Sequence, residues 1–196
     1  MKKNKLILIV LLFVTSHLAI AQEKIKFDVT VAGFSIGEME AIKTVKGEET
    51  FYDISSEVGF WFFGKVNVDY SINSHFKGTQ LMKAKAKTKS NKGDFASDIQ
   101  WIDDKYVIEA NSYKYEKDTV VNHPLHYSSA MLYFEEPTKH KLFMAENYGL
   151  PSTITKMKDH YEVNVNGNKN KFYYVNGKFE KAVMESPIKN YVIKRK

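Results

Sequence analysis

The chain has 196 residues, a formal net charge of +6 and no cysteine. Three of the positive charges are Lys2, Lys3 and Lys5; the rest of the chain is only mildly basic, with acids interspersed among its lysines, which argues against nucleic acid as a partner. Without cysteine there is no disulfide framework, no thiolate metal site and no cysteine nucleophile.

The three lysines open a positively charged segment, followed by an apolar run from Leu6 to Val14 and by Ala19-Ile20-Ala21 before Gln22. This is the layout of a secretory signal peptide with a small-x-small cleavage site. The apolar run is shorter than the ~20 residues of a membrane helix. The expectation is export to the periplasm or medium and cleavage after Ala21. Residues 22–196 then form a single β domain with no membrane span. Gln22 stands where a bacterial lipid anchor needs cysteine, so the mature protein is expected to be soluble.

From Gln22 onward the apolar period is two, the period of strands. Ile25, Phe27, Val29 and Val31 alternate with Lys24, Lys26, Asp28 and Thr30. Val66, Val68, Tyr70, Ile72, Ser74 and Phe76 repeat the pattern, as do Tyr161, Val163 and Val165. One face is apolar and the other wet, as in an antiparallel sheet packed on one side. Turn signals recur at Gly33, Gly47, Asn91–Gly93, Asp103-Asp104, Asn166-Gly167 and Asn176-Gly177. Asn-Gly supplies the positive φ angles of tight hairpins. The fold class is therefore all-β: an antiparallel meander of about a dozen strands forming a barrel or a strongly curved half-barrel.

Gly59-Phe60-Trp61-Phe62-Phe63-Gly64 is the most apolar run after the signal segment. It reads as a strand covered on both faces by sheet and helix, or as an exposed aromatic rim. Next come Lys83, Lys85, Lys87 and Lys89, alternating with Met82, Ala84, Ala86 and Thr88. A lysine on a lipid-facing strand costs ~2–4 kcal/mol near the bilayer midplane, which argues against a membrane barrel. The ladder reads as a solvated or edge strand, or as a docking strip for an anionic surface. A four-residue loop, Ser90–Gly93, sets Lys85 opposite Asp98, Lys89 opposite Asp94, Ala84 opposite Ile99 and Met82 opposite Trp101. A three-residue loop would set lysines against apolar residues, because a one-residue slip flips every side chain. Asp103-Asp104 then pairs Trp101 with Tyr106 and Ile99 with Ile108.

The alternation fails at His126–Pro137. Ser128 or Ser129 is placed to cap a short helix near 128–135, and Pro137 to end it. A helix rich in Met131, Leu132, Tyr133 and Phe134 needs an apolar partner, which the concave face of the sheet supplies. Small residues recur at inward positions, among them Ala41, Ser74, Ala84 and Ser97. Either the helix or a ligand fills the space they leave. His123, His126, Glu135, Glu136 and His140 cluster around the helix without the spacing of a zinc site. No hydrolase elbow, phosphate loop or dinucleotide fingerprint occurs, so no cofactor, metal site or catalytic residue is assigned.

At Tyr127-Ser-Ser-Ala-Met-Leu-Tyr-Phe-Glu-Glu-Pro137 the chain resembles an uncharacterised family of exported β-proteins from Gram-negative bacteria, a domain of unknown function. The Ile36-Gly37 region and the Asn176-Gly177-Lys178 hairpin are similar too. A larger, related periplasmic family has the same small-residue and tyrosine helix start, often followed by an arginine; here Glu135 stands near that place. The resemblance implies a curved antiparallel sheet with a helix and implies no activity.

Three functions are carried forward. The first is a non-enzymatic cell-envelope protein binding a lipid or another apolar or amphipathic ligand in the barrel interior, lined by Trp61, Phe62, Trp101, Tyr106, Met131 and Phe134. The second is a structural module contacting another envelope protein. The third is an envelope hydrolase using His123, His126 or Glu135, which requires these side chains to converge.

Overall fold

The computed structural model describes residues 20–61, 65–91, 93–112, 115–186 and 189–196. Eight strands come first: β1 (Ile20–Val31), β2 (Phe34–Lys46), β3 (Glu49–Trp61), β4 (Lys65–Lys77), β5 (Gln80–Ser90), β6 (Phe95–Ile102), β7 (Lys105–Ser112) and β8 (Tyr115–Val121). Six more follow a long connection: β9 (Leu142–Ala145), β10 (Leu150–Lys156), β11 (Tyr161–Val165), β12 (Asn168–Val175), β13 (Lys178–Met184) and β14 (Tyr191–Arg195). All fourteen lie in one sheet, in the order 8-7-6-5-4-3-2-1-14-13-12-11-10-9. Every neighbouring pair is antiparallel. Thus β1 and β14 pair at the centre, while β8 and β9 do not pair and the barrel stays open.

Tight turns drive the meander. Asn176 and Gly177 have φ angles of 51° and 76°, and Asp103 and Asp104 of 49° and 59°. Positive φ at both central residues matches the twist of a two-residue hairpin. The register follows charge and burial as expected. Lys85 pairs with Asp98, and their side chains meet at 2.6 Å. Ala84 pairs with Ile99, Ile99 with Ile108, and Trp101 with Tyr106. The strand around Asp69 to Phe76 turns Ile72, Ser74 and Phe76 inward, with a bulge between His75 and Phe76.

Three expectations change. The helix is a five-residue 3₁₀ turn, Ser129–Tyr133, and it ends before Pro137. Ala130, Met131, Leu132 and Tyr133 are all buried, and only Ser129 at its start is partly exposed. Such burial suits one compact turn rather than an amphipathic helix. Strand β5, which carries the lysine ladder, lies between β4 and β6 and is not an edge. Of the aromatic run at 59–64, Gly59, Phe60 and Trp61 end β3, and the Trp61 side chain is 78% exposed rather than covered by sheet and helix. Phe62, Phe63 and Gly64 lie outside the described residues.

The two halves of the curled sheet share one core, to which both Ile72 of β4 and Phe172 of β12 belong. A second 3₁₀ turn, Glu146–Tyr148, links β9 to β10. Its backbone is tied to β6, where Ser97 Oγ donates to Glu146 O at 2.5 Å. At Gly149 (φ +57°) an added Cβ would stand 2.5 Å from Ile108 Cγ2 of β7. The concave side is then filled by the chain itself. Phe27, Tyr133, Phe172, Phe179 and Tyr174 form a ring cluster with centroids 5.3–6.1 Å apart. Tilted and edge-on rings are the favoured aromatic geometry.

Candidate functional site

The connection 122–141 closes the gap between β8 and β9. Leu125 O accepts from Leu81 N at 3.0 Å, and Tyr127 O accepts from Met144 N at 2.9 Å. Tyr106, fully buried, donates its hydroxyl to Leu81 O at 2.8 Å and accepts from Leu125 N at 3.0 Å. The connection is therefore stitched to β5, β7 and β9, and its 3₁₀ turn plugs the interior.

Two carboxylates hold this plug. Glu146 is completely buried. It accepts from Ser74 Oγ at 2.8 Å, from Ser129 N at 2.8 Å, from Ala130 N at 3.3 Å and from Ser129 Oγ. Its carboxyl group sits at the N-terminal end of the plug turn, where it takes up N–H groups that the turn itself leaves unpaired. Glu135, half-buried at the other end, meets Lys43 Nζ at 2.6 Å and accepts from Tyr52 OH at 3.1 Å. Glu135 O also accepts from Tyr127 OH at 2.5 Å. Tyrosines dominate the interior, and burial pushes the hydroxyl pKa of Tyr52, Tyr70, Tyr127, Tyr133 and Tyr174 well above the ordinary range and that of Tyr191 up to about 12. These phenols are hydrogen-bonding members of the core, neutral near pH 7.

Among the described residues, two of the cavities that open on the surface bear on a site. The larger, 670 Å³, lies over β2 to β5 and is lined mainly by outward residues such as Glu38, Ser55, Glu57, Asp69, Ser71 and Lys87. The smaller, 280 Å³, lies between loop 137–141 and the ends of β10 and β11. Its floor is Pro137, Ile154 and Tyr161, all buried, and its rim carries Lys139, Lys141 and Lys156. Lys156 Nζ lies 5.4 Å from the centre of the Tyr161 ring, a cation–π distance.

The expected lining residues part company here. Met131 and Tyr106 are buried inside. Phe134 is half-buried, 5.5 Å from the Tyr52 ring, and Trp101 is half-buried against Tyr106 at 4.7 Å. Trp61 stands at the outer end of β3, away from the interior. Phe62 lies outside the described residues. The histidines do not assemble a catalytic group. His126 Nδ1 lies 3.3 Å from Thr79 Oγ1, His140 stacks on Tyr127 at 4.6 Å, and His123 is exposed. Among the described residues none of His123, His126 and Glu135 hydrogen-bonds another, and no three His, Asp or Glu are grouped to hold a metal. Burial holds the His140 imidazole below its usual pKa, against a raising influence from Glu135.

Sequence reasoning missed Glu146 and the lysine-rimmed pocket. Glu146 lies in an irregular stretch with no period to mark it as inward. Lys139, Lys141 and Lys156 meet only through the pairing of β9 with β10. The one legible hint was the loss of alternation at Phe143-Met144-Ala145, three successive buried residues.

Residues 27–196 match the domain of unknown function DUF6134. The chain belongs to this family. No curated protein matches it. Its fold is similar to that of a β-barrel-like protein from Brucella abortus, itself a domain of unknown function, DUF1849. The TM-score is 0.54 at 10% identity, over 88% of this chain and 94% of that one. At that identity the likeness speaks to the fold alone. It agrees with a family built on a curled antiparallel sheet.

Proposed function

We propose that this member of the family is a non-catalytic binding module of the cell envelope, taking an amphipathic ligand such as a lipid at the mouth of its curled sheet. The supporting observation is the smaller cavity. Its floor of Pro137, Ile154 and Tyr161 is apolar and its rim is polar. A concave apolar surface with a few polar groups at its edge is the general form of a small-molecule site. The interior proper is filled by the plug and the aromatic cluster, so the ligand engages the mouth and does not lie within the barrel. The signal-like character of the first 21 residues supports the reading that this activity lies outside the cytoplasm. Native mass spectrometry of the protein purified from envelope fractions tests the reading. The expected result is a non-covalent adduct with the mass of an amphiphile. A bare protein that also takes up no added amphiphile overturns it.

A second reading, contact with another envelope protein, is favoured by Trp61. Its indole is 78% exposed, and Phe34, 76% exposed, lies at the same end of the sheet. Large exposed aromatics are enriched at protein interfaces. Capture from envelope extract by the native protein, lost with Trp61→Ala, supports this reading. Equal capture by both removes it.

A further inference from the structure

We propose that the smaller cavity is an anion site, receiving the phosphate or carboxylate headgroup of the ligand. This rests on the binding reading above and adds the ligand's charge. The argument begins with the lysines. Lys139, Lys141 and Lys156 line one pocket of 280 Å³, and no carboxylate is among its lining residues. All three are exposed, and among the described residues none pairs with an acid. Five other described lysines pair with acids (Lys24 with Glu40, Lys43 with Glu135, Lys85 with Asp98, Lys169 with Glu162 and Lys196 with Asp28 and Glu38); what sets this trio apart from the other unpaired lysines is its shared concavity over an apolar floor.

The acids near the pocket have partners other than its three lysines, although Glu136 is held by Tyr161 of the pocket itself. Glu135 is held by Lys43 and Tyr52, and Glu162 by Lys169. Glu136 accepts the Tyr161 hydroxyl at 2.8 Å, and Asp159 meets His160 at 2.7 Å. Three like charges around one concavity repel one another and their fields add inside it; among the described residues no ion pair to an acid offsets them, beyond the contact of Lys156 with the Tyr161 ring. His140 lines the same pocket. Size completes the assignment. Ligand pockets for whole drug-sized molecules run from about 300 Å³ upward. This one suits a headgroup, with the apolar part of the ligand lying on Pro137, Ile154 and Tyr161.

The test titrates the full protein with dodecyl phosphate, octyl glucoside and inorganic phosphate, by calorimetry at low and high salt. It compares the native chain with the Lys139→Gln/Lys141→Gln/Lys156→Gln variant and, as a control, with Lys87→Gln. All the altered side chains are exposed, so folding is expected to be unchanged, which thermal unfolding verifies. The expected result is that dodecyl phosphate binds at least about tenfold more tightly than octyl glucoside, that salt weakens it, and that the triple variant but not the control loses about tenfold. Equal binding of both amphiphiles, unaffected by the triple substitution, overturns the anion site and leaves the binding reading standing. Inorganic phosphate binding as tightly as dodecyl phosphate keeps the anion site and overturns the amphipathic ligand. Binding of none of the three overturns both.

Discussion

Glu146 and Ser129 are bonded twice: the buried carboxylate accepts both the hydroxyl and the backbone N–H of the serine that begins the plug turn. Residues on opposite sides of β9 are thereby locked, and the plug is fixed to the turn that enters the curled sheet. Replacing Glu146 by Ala leaves Ser74, Ser129 and Ala130 with unmet donors in a dry site. The expected loss is about 3 kcal/mol or more, and about 1–2 kcal/mol for Glu146→Gln, which keeps the volume and one acceptor. Urea unfolding of the two variants measures it. Native stability in Glu146→Ala contradicts this role for the carboxylate.

Alkali probes the tyrosine core. Burial raises the folded-state pKa of Tyr133, Tyr174 and Tyr191 above the ordinary 10.0. A group with a raised folded pKa stabilises fully below its unfolded pKa, and that contribution is lost as pH climbs above it. Stability is thus expected to hold up to about pH 10 and to fall steeply beyond it. Tyrosinate absorbance and far-UV circular dichroism followed together should change in one step for the buried set. Full ionisation at pH 10 with the sheet intact contradicts the burial.

Gly149 is where the returning chain touches β7. Alanine there combines a left-handed φ of +57° with a Cβ 2.5 Å from Ile108 Cγ2. The strain costs about 1–2 kcal/mol, and the overlap adds about 1–3 kcal/mol more. Calorimetric unfolding of Gly149→Ala should show a clear drop in Tm. An unchanged Tm argues against close packing of the second 3₁₀ turn on the sheet.

Two aromatic deletions should differ in kind. Phe179, 1% exposed, contacts the rings of Phe27, Tyr133, Phe172 and Tyr174. Its replacement by Ala is expected to cost about 3–5 kcal/mol through the cavity left behind. Trp61→Ala, at an exposed site, should stay within about 0.5 kcal/mol of the native stability. Chemical denaturation of both separates core from surface, and a large loss on removing Trp61 contradicts its exposure.

Strand periodicity was legible because the side-chain period of a strand is local. Lys85 and Asp98 found each other through the Ser90–Gly93 loop, and Trp101 met Tyr106 through Asp103-Asp104. In such hairpins the turn length sets the register, and both are adjacent in sequence. The plug was legible only as a break in alternation. Its compact 3₁₀ form goes with the burial of four successive residues, Ala130 to Tyr133, which no local pattern encodes. The site was less legible still. Lys139, Lys141 and Lys156 come together only when β9 lies beside β10, and Glu146 faces Ser74 across 72 residues of chain.

The amino-acid sequence by itself determined an all-β meander with its turns, its apolar face and much of its pairing, because these depend on neighbours in the chain. Tertiary structure alone decided that β1 joins β14, that β8 and β9 stay apart, and that the interior fills with the chain's own tyrosines and plug. Those outcomes rest on contacts between distant segments competing for one concave apolar surface. The winner is set by how well whole elements fit together in space.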